Sequence, residues 1–141
     1  MNEVSRLRFV VLRIAYALIT FGQVVTFWPK LLSHSSEWAL KFGDTNALLA
    51  GMTILMAFGI RYPIRMLPIM LFEFTWKSIW LIAIYLPLAR AGQVDSATKE
   101  SLAAIGVAVI LCALIIPWGF VAKRYVIEPA ERWLSPDKPA S

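Results

Sequence analysis

The chain has 141 residues, 59% of them hydrophobic and 16% charged, with 14 Lys and Arg against 9 Asp and Glu. Soluble domains average about 45–50% apolar and about 25% charged, so both figures argue against a water-soluble globule, and a solvated coil is further away still. The single cysteine, Cys112, and single histidine, His34, exclude an intrachain disulfide, a CxxC pair, a bis-histidine haem and a two-histidine metal site.

A membrane span needs ~20 mainly apolar residues at 1.5 Å rise each. The first predicted span covers residues 7–28. Its basic start could suggest a signal peptide, but the apolar stretch is long and ends Thr26-Phe27-Trp28-Pro29 with no small-x-small cleavage site, which predicts a retained helix. The connection over 29–43 places Leu31, Trp38 and Phe42 where a short helix would lie on the membrane surface, with His34 as a solvated loop residue. The second span covers 45–60, with Asp44 or Thr45 as its N-cap. The third covers 66–88 and is interrupted by Glu73 and Lys77. The fourth covers 101–122 without any charge, and Asp95 and Ser96 can cap a helical turn leading into it. Pro68, Pro87 and Pro117 fall where a kink or stop is expected, and Ala104, Ala108 and Cys112 form a small-residue stripe suited to close packing. The tail, 123–141, reads as a surface segment. No apolar run alternates with period two, so a strand barrel is not expected.

These elements predict an all-α integral membrane protein, a single domain over 1–141 folded as a four-helix antiparallel bundle. Four spans put both termini and the 61–65 loop on one side. That side carries Arg6, Arg8, Arg13, Arg61, Arg65, Lys123, Arg124, Arg132 and Lys138, against Lys30, Lys41, Arg90 and Lys99 opposite. Nine against four places both termini in the cytoplasm. Acids are even on the two sides, so the net charge of +5 belongs to the cytoplasmic face, where anionic headgroups attract it. Scattered between apolar runs, the basic residues do not suggest nucleic acid binding. P-loop, dinucleotide-binding, zinc-protease and nucleophile-elbow motifs are all missing, and neither a cofactor, a metal nor an enzymatic activity is expected.

Glu73 and Lys77 are the anomaly. They stand four residues apart on one helix, close enough to meet, and Lys77 is near the middle of its span. The eleven Leu, Ile and Phe residues over 66–88 contribute about −5 kcal/mol to insertion. A central lysine costs about 3 kcal/mol and a glutamate a similar amount. The third helix therefore depends on neighbours to hide the pair. At 100° per residue, Met66, Ile69, Glu73, Trp76, Lys77, Trp80 and Ile84 share a face. Arg13, Tyr16, Thr20 and Gln23 form a stripe on the first helix, and Thr53 stands at comparable depth on the second. The expected polar cluster is Glu73 flanked by Lys77 and Arg13, roofed by Trp76 and Trp80, with Tyr16, Thr20, Gln23 and Thr53 nearby. Two readings stay open: a proton or substrate site, or a self-neutralised pair that fixes helix register. A purely structural pair would tolerate exchange of its two members.

Leu12-Arg13, Phe27-Trp28-Pro29-Lys30 and Gly59-Ile60-Arg61 resemble the layout of DoxX-like bacterial membrane proteins. Met66-Leu67-Pro68, Phe72-Glu73, Trp76-Lys77 and Ile116-Pro117-Trp118 are similar to four-span bacterial proteins of that general type. The resemblance implies an inner-membrane four-helix protein, some of whose relatives are associated with redox enzymes or stress responses. Small multidrug transporters share the four-span plan but carry their essential glutamate in the first helix, where this chain has Arg13. The function expected is that of a binding or accessory component. A small, dimeric proton-linked transporter using Glu73 is the alternative, and a membrane subunit of a redox enzyme the third. Expected partners are membrane lipid and either a second copy or a partner membrane protein.

Overall fold

A computed structural model describes the backbone of residues 4–33 and 36–131, and their side chains except at 30 and 36–42. His34 lies outside the described residues. Helix α1 (Arg6–Leu32) starts where the Ser5 hydroxyl accepts the Arg8 N–H at 3.3 Å. It runs past Pro29, because a proline removes one hydrogen bond and the Ser33 N–H closes the last turn on the Pro29 carbonyl. Helix α2 (Ser36–Arg61) begins almost at once. The expected surface helix is therefore not separate: Leu31 lies in the last turn of α1, and Trp38 and Phe42 belong to the first turns of α2. Asp44 and Thr45 stand inside α2 and cap nothing at its start.

Helix α3 (Leu67–Trp80) carries Pro68 in its first turn, where no N–H is needed. It continues through a π-helical turn (Leu81–Tyr85) into α4 (Leu86–Arg90). Pro87 cannot donate to the Ala83 carbonyl and its ring crowds that group; the adjoining turn widens, so that the Leu86 N–H bonds to Leu81. A turn through Gly92, at φ +68°, leads to α5 (Ser96–Ile115). As expected, Asp95 caps it, accepting the Thr98 N–H at 2.7 Å. The fourth span, however, starts earlier and stops earlier than 101–122. Ile116 turns extended ahead of Pro117, and a short α6 (Trp118–Ala122) follows, with a π-helical turn (Lys123–Ile127) after it. Among the described residues there is no strand. Four stretches, Arg6–Pro29, Gly43–Arg61, Leu67–Arg90 and Ser96–Ile115, are long and apolar enough to cross a membrane.

The hydrogen bonds that Asp95 takes from Thr98 hold its carboxyl below the usual carboxylate range. A depressed folded value adds stability above the unfolded value, and that stability is lost as pH falls through the folded one. Acid should therefore fray the Ser96 turn, and Asp95→Asn should keep the cap while removing this pH dependence. Amide exchange at Thr98 measures both.

Packing is uneven. Helix α1 lies along α2 for most of its length and α3 rests on α5, while α1 and α5 meet sparingly. The core comprises Leu12, Ala15, Tyr16, Met56, Leu67, Met70, Cys112 and Ile116, gathered toward the end that holds the 62–66 turn. Three side chains lock that end. The Tyr16 hydroxyl donates to the Pro63 carbonyl at 2.9 Å. Arg8 donates to the carbonyls of Leu114, Ile115 and Ile116 at 3.1–3.4 Å, while Trp118 Nε1 donates to Ala113 at 2.7 Å. The carbonyls stranded when Pro117 stops α5 are thus all satisfied, and a guanidinium sits at the negative end of the helix. Arg8→Met should cost about 1–2 kcal/mol, read as a lower unfolding midpoint in detergent, with Arg8→Lys recovering only part because it lacks the forked donor set.

Candidate functional site

The Glu73 side chain is wholly buried where α1, α2 and α3 converge. On α3 the inward positions are Leu67, Met70 and Glu73, so the buried face is turned toward Met70 relative to the expected one; Ile84 is 49% exposed. Three donors meet the carboxylate. Lys77, one turn on, pairs with Oε1. Gln23 Nε2 donates to Oε1 at 3.3 Å, and Trp76 Nε1 donates to Oε2 at 2.9 Å. Gln23 is oriented in turn by Thr53, whose hydroxyl lies 2.9 Å from Gln23 Oε1 and 2.7 Å from the Leu49 carbonyl. The Lys77 ammonium stands 5.3 Å from the centre of the Trp76 ring, a cation–π distance.

Helical spacing explains this assembly. Residues 73, 76 and 77 are i, i+3 and i+4, so one turn of α3 delivers a carboxylate together with an indole N–H and an ammonium. An amide from α1 completes the set. A carboxylate removed from water is tolerable only when donors meet it, and here both oxygens accept.

The structure brings together Glu73, Lys77, Gln23, Thr53 and Trp76 from the expected cluster. It does not bring in the other four. Arg13 is exposed. It stands ten residues from Gln23, roughly 15 Å along α1, and about 80° around it, so it differs from the carboxylate in both depth and direction. Tyr16 is buried but faces Pro63, two turns below Gln23. The Thr20 hydroxyl is enclosed without a hydrogen-bond partner and does not reach the carboxylate. Trp80 makes no hydrogen bond to Glu73; it stacks on Tyr85 with ring centres 6.1 Å apart.

Beside the cluster opens a cavity of about 830 Å³ between α1, α3 and α5. Met70 and Cys112 lie at its floor, in contact at 3.9 Å between their sulfur atoms. Gln23, Glu73, Trp76 and Lys77 form its polar wall, and Trp80 stands further along that wall. The small-residue stripe does not pack closely, since Ala104 and Ala108 face this cavity and only Cys112 is buried. Sequence reasoning missed both the cavity and Arg8. An apolar helix stopped by Ile116-Pro117 needs outside donors for its last carbonyls, and that need was the available signal for Arg8. Among the described residues no three His, Cys, Asp or Glu side chains approach closely enough to hold a metal ion. The site can hold polar groups in an apolar surround; it offers no nucleophile–base pair. Set against family models, curated proteins and solved structures, the chain finds no match in any of the three.

Proposed function

We propose that this chain is a small polytopic inner-membrane protein, an antiparallel bundle of four spans with cytoplasmic termini, that serves as a binding or accessory component. Its outward surface supports insertion. Leu7, Leu18, Phe21, Ile82, Ile110 and Leu114 are each more than 60% exposed, which an aqueous surface does not sustain over several faces at once. The nine-to-four distribution of basic residues supports the orientation. The DoxX-like layout of its short motifs is part of the same reading.

One observation carries the binding role: a fully buried carboxylate with three donors forms the wall of a large cavity instead of being sealed in a packed core. The pair itself reads as the device that fixes the wall. A transported proton needs a carboxylate that can let go of its partners, whereas Glu73 is held by Lys77, Gln23 and Trp76 together.

Native mass spectrometry of the full-length protein lifted from its own membranes tests the reading. A stoichiometric adduct or partner subunit that Ala108→Trp removes is the expected result. A bare chain, unchanged by that substitution, overturns it. Glu73→Gln that folds normally but abolishes pH-driven uptake in liposomes would establish the transport alternative in its place.

A further inference from the structure

We propose that the cleft between α1, α3 and α5 holds an uncharged amphiphile with a hydrogen-bond-accepting head, the head at Lys77 and the apolar chain along α1 and α5. This deepens the binding role proposed above and rests on it.

The shape of the cleft favours a ligand that enters sideways. Its volume of about 830 Å³ falls within the 300–1,000 Å³ usual for small-molecule pockets. Ile14 and Leu18 of α1 and Val107 and Leu111 of α5 line it, yet these four are 47–64% exposed. Its mouth is therefore on the lateral surface, at the level where acyl chains lie in a bilayer, and the Arg8 bridge closes the end near Ile116.

Charge sets the head. Among the described residues, Glu73 and Lys77 are the only charged side chains lining the cleft, and they cancel. An anionic or cationic head would enter a low-dielectric site with no counterion, at a cost of several kcal/mol. An uncharged head escapes that cost.

Hydrogen bonding sets its polarity. Glu73 Oε1 accepts from Lys77 and Gln23, and Oε2 accepts from Trp76, so three of the carboxylate's four acceptor positions are taken. Lys77 has three N–H donors, of which one meets Glu73, while the Trp76 ring lies beside the ammonium. Lys77 thus keeps two donors against the single acceptor position left on Oε2, and the excess calls for an acceptor such as an ester, carbonyl or hydroxyl oxygen.

Equilibrium binding of three radiolabelled probes to the purified full-length protein in detergent tests this: monoolein, oleate and oleylamine. Monoolein is expected to bind saturably at one per chain, and the two charged probes at least tenfold more weakly. Lys77→Met should weaken monoolein at least tenfold, the loss of one hydrogen bond to a charged donor. Because that variant leaves Glu73 without its cation, Ala108→Trp is read in parallel; it keeps the pair, fills the cleft and should abolish monoolein binding. Monoolein bound equally by wild type and Ala108→Trp overturns the proposal. Oleate or oleylamine bound as tightly as monoolein overturns the uncharged head and leaves the binding role standing. A homodimer that binds no probe and that Ala108→Trp dissociates overturns it in favour of a second copy filling the cleft. No probe bound and no dimer overturns this proposal, while the binding role stands or falls on the native mass spectrum.

Discussion

Glu73→Leu and Lys77→Met are each expected to remove most of the folded, monodisperse protein, and the double variant to recover a large part of it. Removing one member of a buried pair leaves an uncompensated charge, which costs about 3–5 kcal/mol, comparable to the whole stability of many domains. Glu73 is fully buried and the Lys77 side chain is 12% exposed, so solvent screens neither. Removing both eliminates the stranded charge, and apolar replacement of a buried pair is often neutral. Recovery should fall short of wild type, because Gln23 Nε2 and Trp76 Nε1 would then lose their acceptor, at about 1–3 kcal/mol each. The exchange of Glu73 to Lys with Lys77 to Glu should fail. An amide can turn its oxygen toward an ammonium, but the indole of Trp76 is only a donor and would face one. The structure thus reverses the expectation that a register-fixing pair tolerates exchange, since the partners around it are directional. Size-exclusion yield and unfolding midpoints in a mild detergent measure all four proteins. Single variants with wild-type midpoints would show that the pair is solvated and would remove the basis of the site.

The parts of this protein legible in its sequence are those set by composition and by strong local signals. Four apolar runs and the Asp95 cap each rest on the residues themselves, whereas the fourth run reads on through Pro117, where the helix stops. The pairing of Glu73 with Lys77 and Trp76 follows from spacing within one turn. Contacts between helices were legible only where depth could be counted. Thr53 and Gln23 meet because both stand at the level of Glu73, whereas Arg13 stands roughly 15 Å below Gln23 and about 80° around the helix from it. Pro29 misled for another reason: one missing hydrogen bond near a helix end is tolerated, so α1 runs on and the connection shrinks. The cavity had no local signal at all. It exists because α1 and α5 are held together at the Arg8 end and stand apart along the rest of their length, and the distance between two helices is written in no single segment.

The same dependence on helix spacing makes Gly59→Ala a severe substitution for so small a change. A Cβ at this position would fall within 2.6 Å of Tyr16 Cγ and closer still to two other ring carbons. The ring cannot retreat. Tyr16 is fully buried, it belongs to the same core as Leu12 and Met56, and its hydroxyl is tied to the Pro63 carbonyl. The added methyl must therefore push α1 away from α2, at about 1–3 kcal/mol for Ala and more for a larger residue. The separation should reach the site, because Gln23 and Thr53 bridge the same two helices at 2.9 Å and Gln23 holds Glu73. The Trp76 indole N–H resonance, which reports the bond to Glu73, is expected to shift along with the fall in unfolding midpoint. Gly51→Ala serves as the internal control. It lies in the same helix, but nothing stands within 4 Å of the added carbon, so the higher helix propensity of Ala should raise stability by about 0.5–1 kcal/mol. Gly59→Ala with wild-type stability would mean that α1 and α2 do not meet through Tyr16. Loss in Gly59→Ala combined with gain in Gly51→Ala would place the close approach at that one turn, and would make the α1–α2 spacing the quantity on which the carboxylate site depends.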